Sequence, residues 1–359
     1  MQNNPTPAVS VLIDTYNQVH FLEQAVSSVL EQGLSPSELE IVIVDDGSTD
    51  NTESIAAKFA PRVQYLRKSN GGQISAYNLA IGQTRAPIIA FLDADDWWAK
   101  TKLHIVLNEF SKDYAVTAVG HGFIQYFDQA RTEEPCLPAK TYRFDLSTPQ
   151  NARFAHAARR FLSTSKMAVR RSVVEAAGTL PDQLVFFDVA LQVAAMALGP
   201  AVVLNQPLTF YRVHGENLYE SQQPDANNLR RKLQCLNAQL EFFPGMLARL
   251  GVSPQAIAAI LLPDELDRDR LRIDLEGGWP WDAFRLERRR FLAKYEKPTP
   301  AYAAFKWLAL APALFMPPAA YYRARDWYFR HNLRRFRKFT GEPVPAAEIQ
   351  VQNSPAHSD

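Results

Sequence analysis

The chain has 359 residues, with 39 Lys and Arg against 38 Asp and Glu and a formal net charge of +1, so it is neither basic nor acidic throughout. Its 47% hydrophobic content is enough for a large core, in one domain with an appendage or in two domains. The two cysteines, Cys136 and Cys235, lie far apart without metal-ligand spacing, so no disulfide framework or zinc site is suggested and a reducing cytoplasm fits. The N-terminal MQNNPTPAV has no basic segment followed by an apolar one, and no run of about 20 apolar residues occurs. Neither a signal peptide nor a spanning helix is therefore expected.

Val9–Ile13 (VSVLI) reads as a first strand leading into Asp14-Thr15-Tyr16-Asn17. Phe21–Gln32 follows with Phe21, Leu22, Ala25, Val26, Val29 and Leu30 at helical spacing, stopped by Gly33. Ile41–Val44 is a second strand, closed by Asp45-Asp46-Gly47-Ser48-Thr49-Asp50. Asp50 or Thr52 can cap the helix that runs to Phe59. Val63–Leu66 is a third strand, followed by Asn70-Gly71-Gly72, a helix over Ile74–Ile81, and the apolar run Ile88–Leu92. Short loops between alternating strands and helices predict an α/β fold with a mostly parallel sheet and right-handed crossovers.

The run at Ile88 ends abruptly in Asp93, Asp95 and Asp96. In open α/β sheets, ligands collect outside the carboxyl ends of the strands. Three acids packed there repel one another unless a cation compensates, and a hard divalent metal with oxygen ligands would do so. Asp95 or Asp96 could equally cap a helix near Lys100–Phe110. The other strand ends carry Asp14 and Tyr16, Asp45 and Asp46, and Asn70 to Gln73. On one sheet edge these clusters would form a single crevice. Asn70-Gly71-Gly72 reads either as a plain turn or as backbone N–H groups offered to a phosphate at a helix start. No GxGxxG follows the first strand and no GxxxxGK[ST] occurs, which argues against dinucleotide oxidoreductases and P-loop NTPases.

The ordered set VSVLIDTYN, IVIVDDGSTD, NGGQISAYNLAI and FLDADDWW resembles the family 2 glycosyltransferases of GT-A fold, over Val9 to Asn217. The resemblance implies an inverting enzyme with a nucleotide-sugar donor, usually UDP-linked, and a divalent cation, Mn2+ or Mg2+. By position it places Asp14, Tyr16 and Asp46 at the nucleobase and ribose, with Asn70, Gly71 and Gln73 beside the donor. Asp93 would stand near the ribose and Asp95 at the metal. Many relatives have Arg where this chain has Tyr77.

Ala115–Val119 and Gly122–Phe127 are expected as strands, Asp128–Tyr142 as a loop, and Ser163–Val169 as a returning strand ahead of Arg170-Arg171. In Phe186-Phe187-Asp188, the family usually reads Glu-Asp, with the Asp as catalytic base. Asp188 is the acid available to take the acceptor hydroxyl proton, and it would also serve as N-cap of a helix over Val189–Leu198. Val202–Leu204 and Leu208–Arg212 are expected as two strands around Pro207. The YRVH that follows again resembles the family, so Arg212 is a candidate for the donor phosphates and His214 for the metal.

From Pro224 onward the pattern is helical: Leu229–Phe242, Pro254–Leu262, Glu265–Leu275 and Trp281–Tyr295. Phe305–Tyr322 is apolar but broken by Pro312, Pro317 and Pro318. Arg323–Phe339 carries seven cations against Asp326, interleaved with aromatic residues. A basic aromatic helix beside an apolar one fits an interfacial membrane anchor on an anionic leaflet; a helical hairpin with solvated arginines is the plainer alternative. Nucleic acid is not expected as a partner. Glu342–Asp359 reads as a disordered tail.

These features predict a catalytic domain over residues 1–222 and a helical region over 223–340 that contacts acceptor and membrane. The expected activity is sugar transfer to a glycan or lipid-linked acceptor in surface polysaccharide synthesis, peripheral on the inner face of the cytoplasmic membrane. A nucleotide-sugar-binding module without transfer, or a nucleotidyltransferase, shares the same crevice logic.

Overall fold

A computed structural model describes residues 6–184, 186–214, 226–294, 300–325 and 327. The described residues fall into two compact units. One is drawn from Met1–Ser147, Ala157–Gln222 and Gly245–Val252, the other from Thr148–His156, Gln223–Pro244 and Ser253–Asp359.

The first unit opens as alternating elements: β1 (Val9–Thr15), α1 (Leu22–Leu30), β2 (Leu39–Asp45), α2 (Thr52–Ala57), β3 (Gln64–Arg67), α3 (Gln73–Ile81) and β4 (Ile88–Asp93). Then come β5 (Trp97–Trp98), α4 (Lys102–Lys112), β6 (Ala118–Phe127), β7 (Thr132–Cys136) and β8 (Tyr142–Phe144). The chain continues through α5 (Pro149–Ala158), β9 (Ala168–Arg170), α6 (Arg171–Ala177), α7 (Phe187–Leu198) and β10 (Ala201–Val213). The ten strands form one mixed sheet in the order β3-β2-β1-β4-β9-β6-β10-β5, with β7 beside β6 and β8 beside β10. Pairing is parallel across β3-β2-β1-β4 and between β6 and β10.

The apolar runs become the central strands because both faces are covered. Val11, Leu12, Ile13, Ile43, Ala90 and Leu92 are all buried. The α1 stripe of Leu22, Ala25, Val26 and Val29 closes one side of this core. Each buried Val, Leu or Ile among them contributes roughly 1.5–3 kcal/mol relative to exposure.

Several elements differ from the sequence expectation. The two strands expected at 115–127 are one, β6. The expected loop 128–142 contains β7, which returns antiparallel along β6 after a turn at Arg131 with φ 52. β7 is polar and exposed (TEEPC), so it shows no apolar alternation. The expected strand 163–169 is a 3-10 turn, Thr164–Lys166, followed by the three residues of β9. The two strands around Pro207 are one strand, β10, whose register against β6 slips on either side of Pro207. Proline has no N–H to give to the ladder, so the slip falls where a bond cannot form. Asp50 accepts from the Thr52 N–H at 3.0 Å, while Asn51 stands at the N-cap of α2.

The second unit is helical. Its described elements include α8 (Ala226–Arg249), α9 (Pro254–Glu276), α10 (Pro280–Lys294) and α11 (Pro300–Leu310), with a 3-10 turn over Ala311–Leu314. The two helices expected on either side of Pro263 are one, α9, with Pro263 inside it. Leu266, Ala283, Leu286, Ala313, Tyr321 and Tyr322 form a core of their own. Most of the basic stretch Arg323–Phe339 and the expected tail Glu342–Asp359 lie outside the described residues.

Candidate active site

Strand register brings the acids together. β1 lies parallel to both β2 and β4, with Asp14 opposite Asp93 and Thr15 opposite Asp45. Apolar residues fill each strand up to its last positions, so the polar residues emerge along one edge. Gln73, the first residue of α3, ties two of these ends together: its Nε2 donates to Asp14 Oδ2 at 3.1 Å and to Asp93 Oδ1 at 3.0 Å. Tyr77 Oη donates to Asp14 Oδ1 at 2.6 Å. Burial pushes the Asp14 carboxyl up to about 6, against the opposing pull of the Tyr77 and Gln73 hydrogen bonds. Asp93 is pushed well above the ordinary range by burial, then by the charges of Asp14 and Asp95.

Ligand oxygens of Asp93, Asp95 and Asp96 all lie within 4.8 Å of one another. Burial, then the Asp95 charge, pushes Asp96 up to about 7. Asp96 Oδ1 accepts the Arg212 N–H at 2.9 Å, whereas Oδ2 is buried with no hydrogen bond among the described residues. His214 Nε2 stands 3.1 Å from Asp95 Oδ2. An all-oxygen cluster under mutual repulsion, with one buried oxygen unsatisfied and an imidazole alongside, fits a hard divalent cation. Neither acid caps a helix: α4 starts at Lys102 behind Thr101.

Arg212 is bonded within the protein beside this cluster. Its Nε donates to the Asp95 carbonyl at 2.9 Å, Nη1 to Asp128 Oδ1 at 2.7 Å and Nη2 to Gln24 Oε1 at 2.6 Å. The guanidinium lies over the rings of Phe21 and Trp97, 4.7 Å from each centroid. At least three of its five N–H groups are thus bonded within the protein, one of them to the Asp95 backbone.

Ser165 is a member of the site that sequence reasoning missed. Its Oγ accepts the Asp93 N–H at 3.1 Å and donates to Asp93 Oδ2 at 3.2 Å. Its carbonyl accepts from Trp98 Nε1 at 2.9 Å, Lys102 Nζ at 2.6 Å and Thr209 Oγ1 at 2.8 Å. The tight turn over Thr164–Lys166 aims both groups at once, and nothing in STSK announces that geometry. Among the partners, only the Asp93 and Trp98 end lies in a motif that sequence analysis singled out.

Asp46 lies at the end of β2. Its Oδ1 accepts from Lys68 Nζ at 2.8 Å and the Gly71 N–H at 2.9 Å, and its Oδ2 from the Gly72 N–H at 2.6 Å. The loop amides considered for a phosphate are thus given to a carboxylate of the protein. Gly47, between Asp46 and Ser48, has φ +85, and a Cβ there would fall 2.8 Å from the Asn70 N. Only glycine allows this turn and this approach together. Asn70 is exposed on the same loop, and Tyr16 presents its ring to solvent at 46% exposure. Asn17 Oδ1 accepts from the Thr49 N–H at 2.8 Å and so pins the Tyr16 turn to the loop after β2.

Asp188 occupies the first turn of α7, behind Phe186 at the N-cap position, so it is not itself the cap. Its Oδ1 accepts the Val189 N–H at 2.8 Å. Burial raises its carboxyl, and the Val189 hydrogen bond with the positive charges of Lys166 and Arg159 oppose that rise. The structure therefore draws Asp14, Gln73, Asp93, Asp95 and His214 into one constellation and holds Asp46, after β2, against the loop after β3 that carries Gly71 and the exposed Asn70.

The sequence model of glycosyl transferase family 2 matches residues 10–178. Among curated proteins, the chain is similar to alr2836 of Nostoc sp., an uncharacterized glycosyltransferase, at 31% identity over 255 residues covering 68% of this chain and 76% of the relative. It is also 37% identical over 119 residues to a hyaluronan synthase of Pasteurella multocida, a match covering 32% of this chain and 12% of the synthase. Among solved structures, S. aureus TarS 1–349 in complex with UDP-GlcNAc superposes with a TM-score of 0.58 at 17% identity, over 90% of this chain and 92% of TarS 1–349. That last likeness is one of fold.

Proposed function

Because the chain belongs to glycosyltransferase family 2, we propose that it moves a sugar from a nucleotide donor, UDP-linked, to a hydroxyl of a glycan or lipid-linked acceptor. The transfer inverts the anomeric carbon and serves surface polysaccharide synthesis. The observation that carries this reading is the shared edge of β1 and β4, where Gln73 bridges Asp14 and Asp93 beside the Asp95–His214 pair. The stretch shared with the hyaluronan synthase agrees with a polysaccharide product.

In this reading the exposed Tyr16 ring supplies a stacking face for the base. Asp14 and Asp46 keep acceptor capacity for base and ribose, since each carboxylate oxygen has two lone pairs. Asp93, Asp95 and Asp96, with His214, would hold Mn2+ or Mg2+. Such an ion, when bound, neutralises the diphosphate as the sugar bond breaks. Asp188 takes the proton of the acceptor hydroxyl. That oxygen bonds to the anomeric carbon from one face, while the bond to the diphosphate breaks on the other and its electron pair leaves with the phosphate oxygen. The first turn of α7 favours the Asp188 carboxylate through the helix dipole.

The first unit is read as the donor-binding and catalytic part, and the C-terminal helices as acceptor- and membrane-associating. No described helix is long and apolar enough to cross a membrane. Peripheral attachment at the inner face of the cytoplasmic membrane is supported by exposed aromatic residues of the second unit: Trp279, Trp281, Trp307 and Phe315. Trp and Phe favour the headgroup boundary, and the cations of 323–339 suit an anionic leaflet.

Nucleoside diphosphate release from a panel of UDP-, GDP- and dTDP-sugars, with manganese and with chelator, tests the proposal. Metal-dependent release from one donor is expected. Release of pyrophosphate from a nucleoside triphosphate would instead make the protein a nucleotidyltransferase. Nucleotide-sugar binding without release, with acceptor extracts present, would make it a binding module.

A further inference from the structure

Two lysines are buried next to Ser165, and they are not alike. Lys102, fully buried, donates to the Ser165 carbonyl at 2.6 Å and reaches Thr209 Oγ1 at 3.4 Å, with its ammonium 3.7 Å from the Trp98 ring centroid. It is a satisfied structural group. Lys166 is only 6% exposed, yet among the described residues its Nζ makes no hydrogen bond and no ion pair. Its neighbours are ring faces: Phe123 at 3.8 Å and Tyr211 at 4.7 Å from Nζ to centroid. Aromatic faces attract a cation but accept none of its three N–H bonds in line. A buried ammonium left in that state is costly, and its cost is recovered only when an acceptor arrives.

The position of Lys166 says which acceptor. The preceding residue, Ser165, is bonded to both the backbone and the carboxylate of Asp93. The anionic charges acting on the ammonium are those of Asp96 and Asp93 first, then Asp188. Through Ser165 it adjoins Asp93, and it lies within electrostatic reach of the acidic cluster and of Asp188. In the reading given above, the donor diphosphate lies there, and its outer phosphate gains negative charge as the sugar departs.

We propose that Lys166 is a catalytic residue that binds the outer phosphate of the nucleotide-sugar diphosphate and stabilises the charge it gains as the bond to the anomeric carbon breaks. The carbon–oxygen electron pair passes to that phosphate oxygen, and the Lys166 ammonium, held in a largely buried position between two rings, meets it. Preorganised donors of this kind contribute about 10²–10³ in rate. The inference rests on the glycosyltransferase reading of the same crevice.

The test compares wild type, Lys166→Met and Lys166→Arg. Met keeps an unbranched stem between Phe123 and Tyr211 without the charge. Calorimetric titration with manganese and UDP, GDP, dTDP or inorganic pyrophosphate gives affinity, and release from the preferred nucleotide sugar gives rate. Lys166→Met is expected to bind diphosphate at least tenfold more weakly and to release it about a hundredfold more slowly, with Lys166→Arg recovering part of both. Its melting temperature without ligand should equal or exceed that of wild type, because a buried charge without an acceptor has been removed. A purely structural lysine would do the reverse: lower melting temperature with unchanged affinity and rate, and that result overturns the assignment. Should Lys166→Met not fold, Lys166→Arg binding as weakly as a charge-free site would equally overturn it. If wild type binds none of the four probes, the donor reading itself falls and takes this inference with it.

Discussion

The rings of Tyr77 and Phe187 stack, with centroids 4.5 Å apart and planes inclined by 28°. Phe91 meets both edge-on, at 5.3 Å and 5.2 Å. These are the two positions at which the motifs depart from the family, where Arg and Glu are usual. The departures are thus one local event: a stacked pair stands where a charged pair would be neighbours, and the Tyr77 hydroxyl keeps a hydrogen bond to Asp14.

Coupling between them follows. Phe187→Glu alone buries a carboxylate near Asp14 and Asp188 and should cost roughly 3 kcal/mol or more. Tyr77→Arg alone buries a guanidinium and loses a stacking contribution of about 0.5–1.5 kcal/mol. Together the new charges can pair, so the double variant should be more stable than the summed singles by about 1–3 kcal/mol. Urea unfolding of the four proteins measures this. Additivity within about 0.5 kcal/mol would show that the two sites act independently.

Asp188 makes activity pH-dependent in a stated direction. Burial raises its carboxyl above an ordinary value near 3.8. Only the ionised form accepts a proton, so transfer should be lost as pH falls through that raised value and reach a plateau above it. The acid limb of kcat should therefore lie higher than an unperturbed aspartate allows. Asp188→Asn should lower transfer by about 10²–10⁴ with nucleotide affinity unchanged. A kcat that stays flat down to pH 4 would remove Asp188 from the base role.

Arg212 and Asp95 should separate stability from binding. Arg212→Met strips donors from the Asp95 carbonyl, Asp128 and Gln24, and should cost about 3–5 kcal/mol while loosening metal-dependent nucleotide affinity. Asp95→Ala should abolish that affinity yet relieve repulsion within the cluster, so the metal-free variant melts no lower than wild type. Thermal melts beside manganese–UDP titrations read both effects. Full nucleotide affinity in Asp95→Ala would contradict its place at the metal.

Membrane attachment predicts co-sedimentation of the full chain with anionic liposomes, weakening as salt rises. Replacing both Trp281 and Trp307, which are 48% and 40% exposed, with Ala should reduce the bound fraction severalfold. A chain that stays in the supernatant at low salt has no such anchor.

The half of the site built from strand ends was legible because its signal is local: an apolar run, then acids, at Ile13–Asp14, Val44–Asp46 and Leu92–Asp96. Register then did what the alternation of elements implied. What could not be read depends on distant partners. Arg212 was a candidate through the YRVH resemblance to the family; that it bonds Gln24, the Asp95 carbonyl and Asp128 is something no local pattern reveals. Ser165 and Lys166 lay in a stretch read as strand, since a three-residue turn leaves no periodicity. β7 was missed because an exposed edge strand lacks an apolar face. The glycosyltransferase family was recognisable from ordered motifs, whereas donor, acceptor and membrane role rest on side chains that those motifs do not contain.

The bond from the Arg212 N–H to Asp96 spans 116 positions of sequence. During synthesis, then, Asp93, Asp95 and Asp96 leave the ribosome well before the strand that pins them exists. Until β10 docks, the nascent chain lacks the Arg212 bonds to Asp95 and Asp96, and Ser165 and Thr209 have yet to meet. A chain ending at 178, where the family match ends, would contain all three acids and lack both the strand that supplies Thr209 and Arg212 and the His214 that follows it. The order of translation thus makes the acidic cluster one of the last parts of this unit to acquire its final shape.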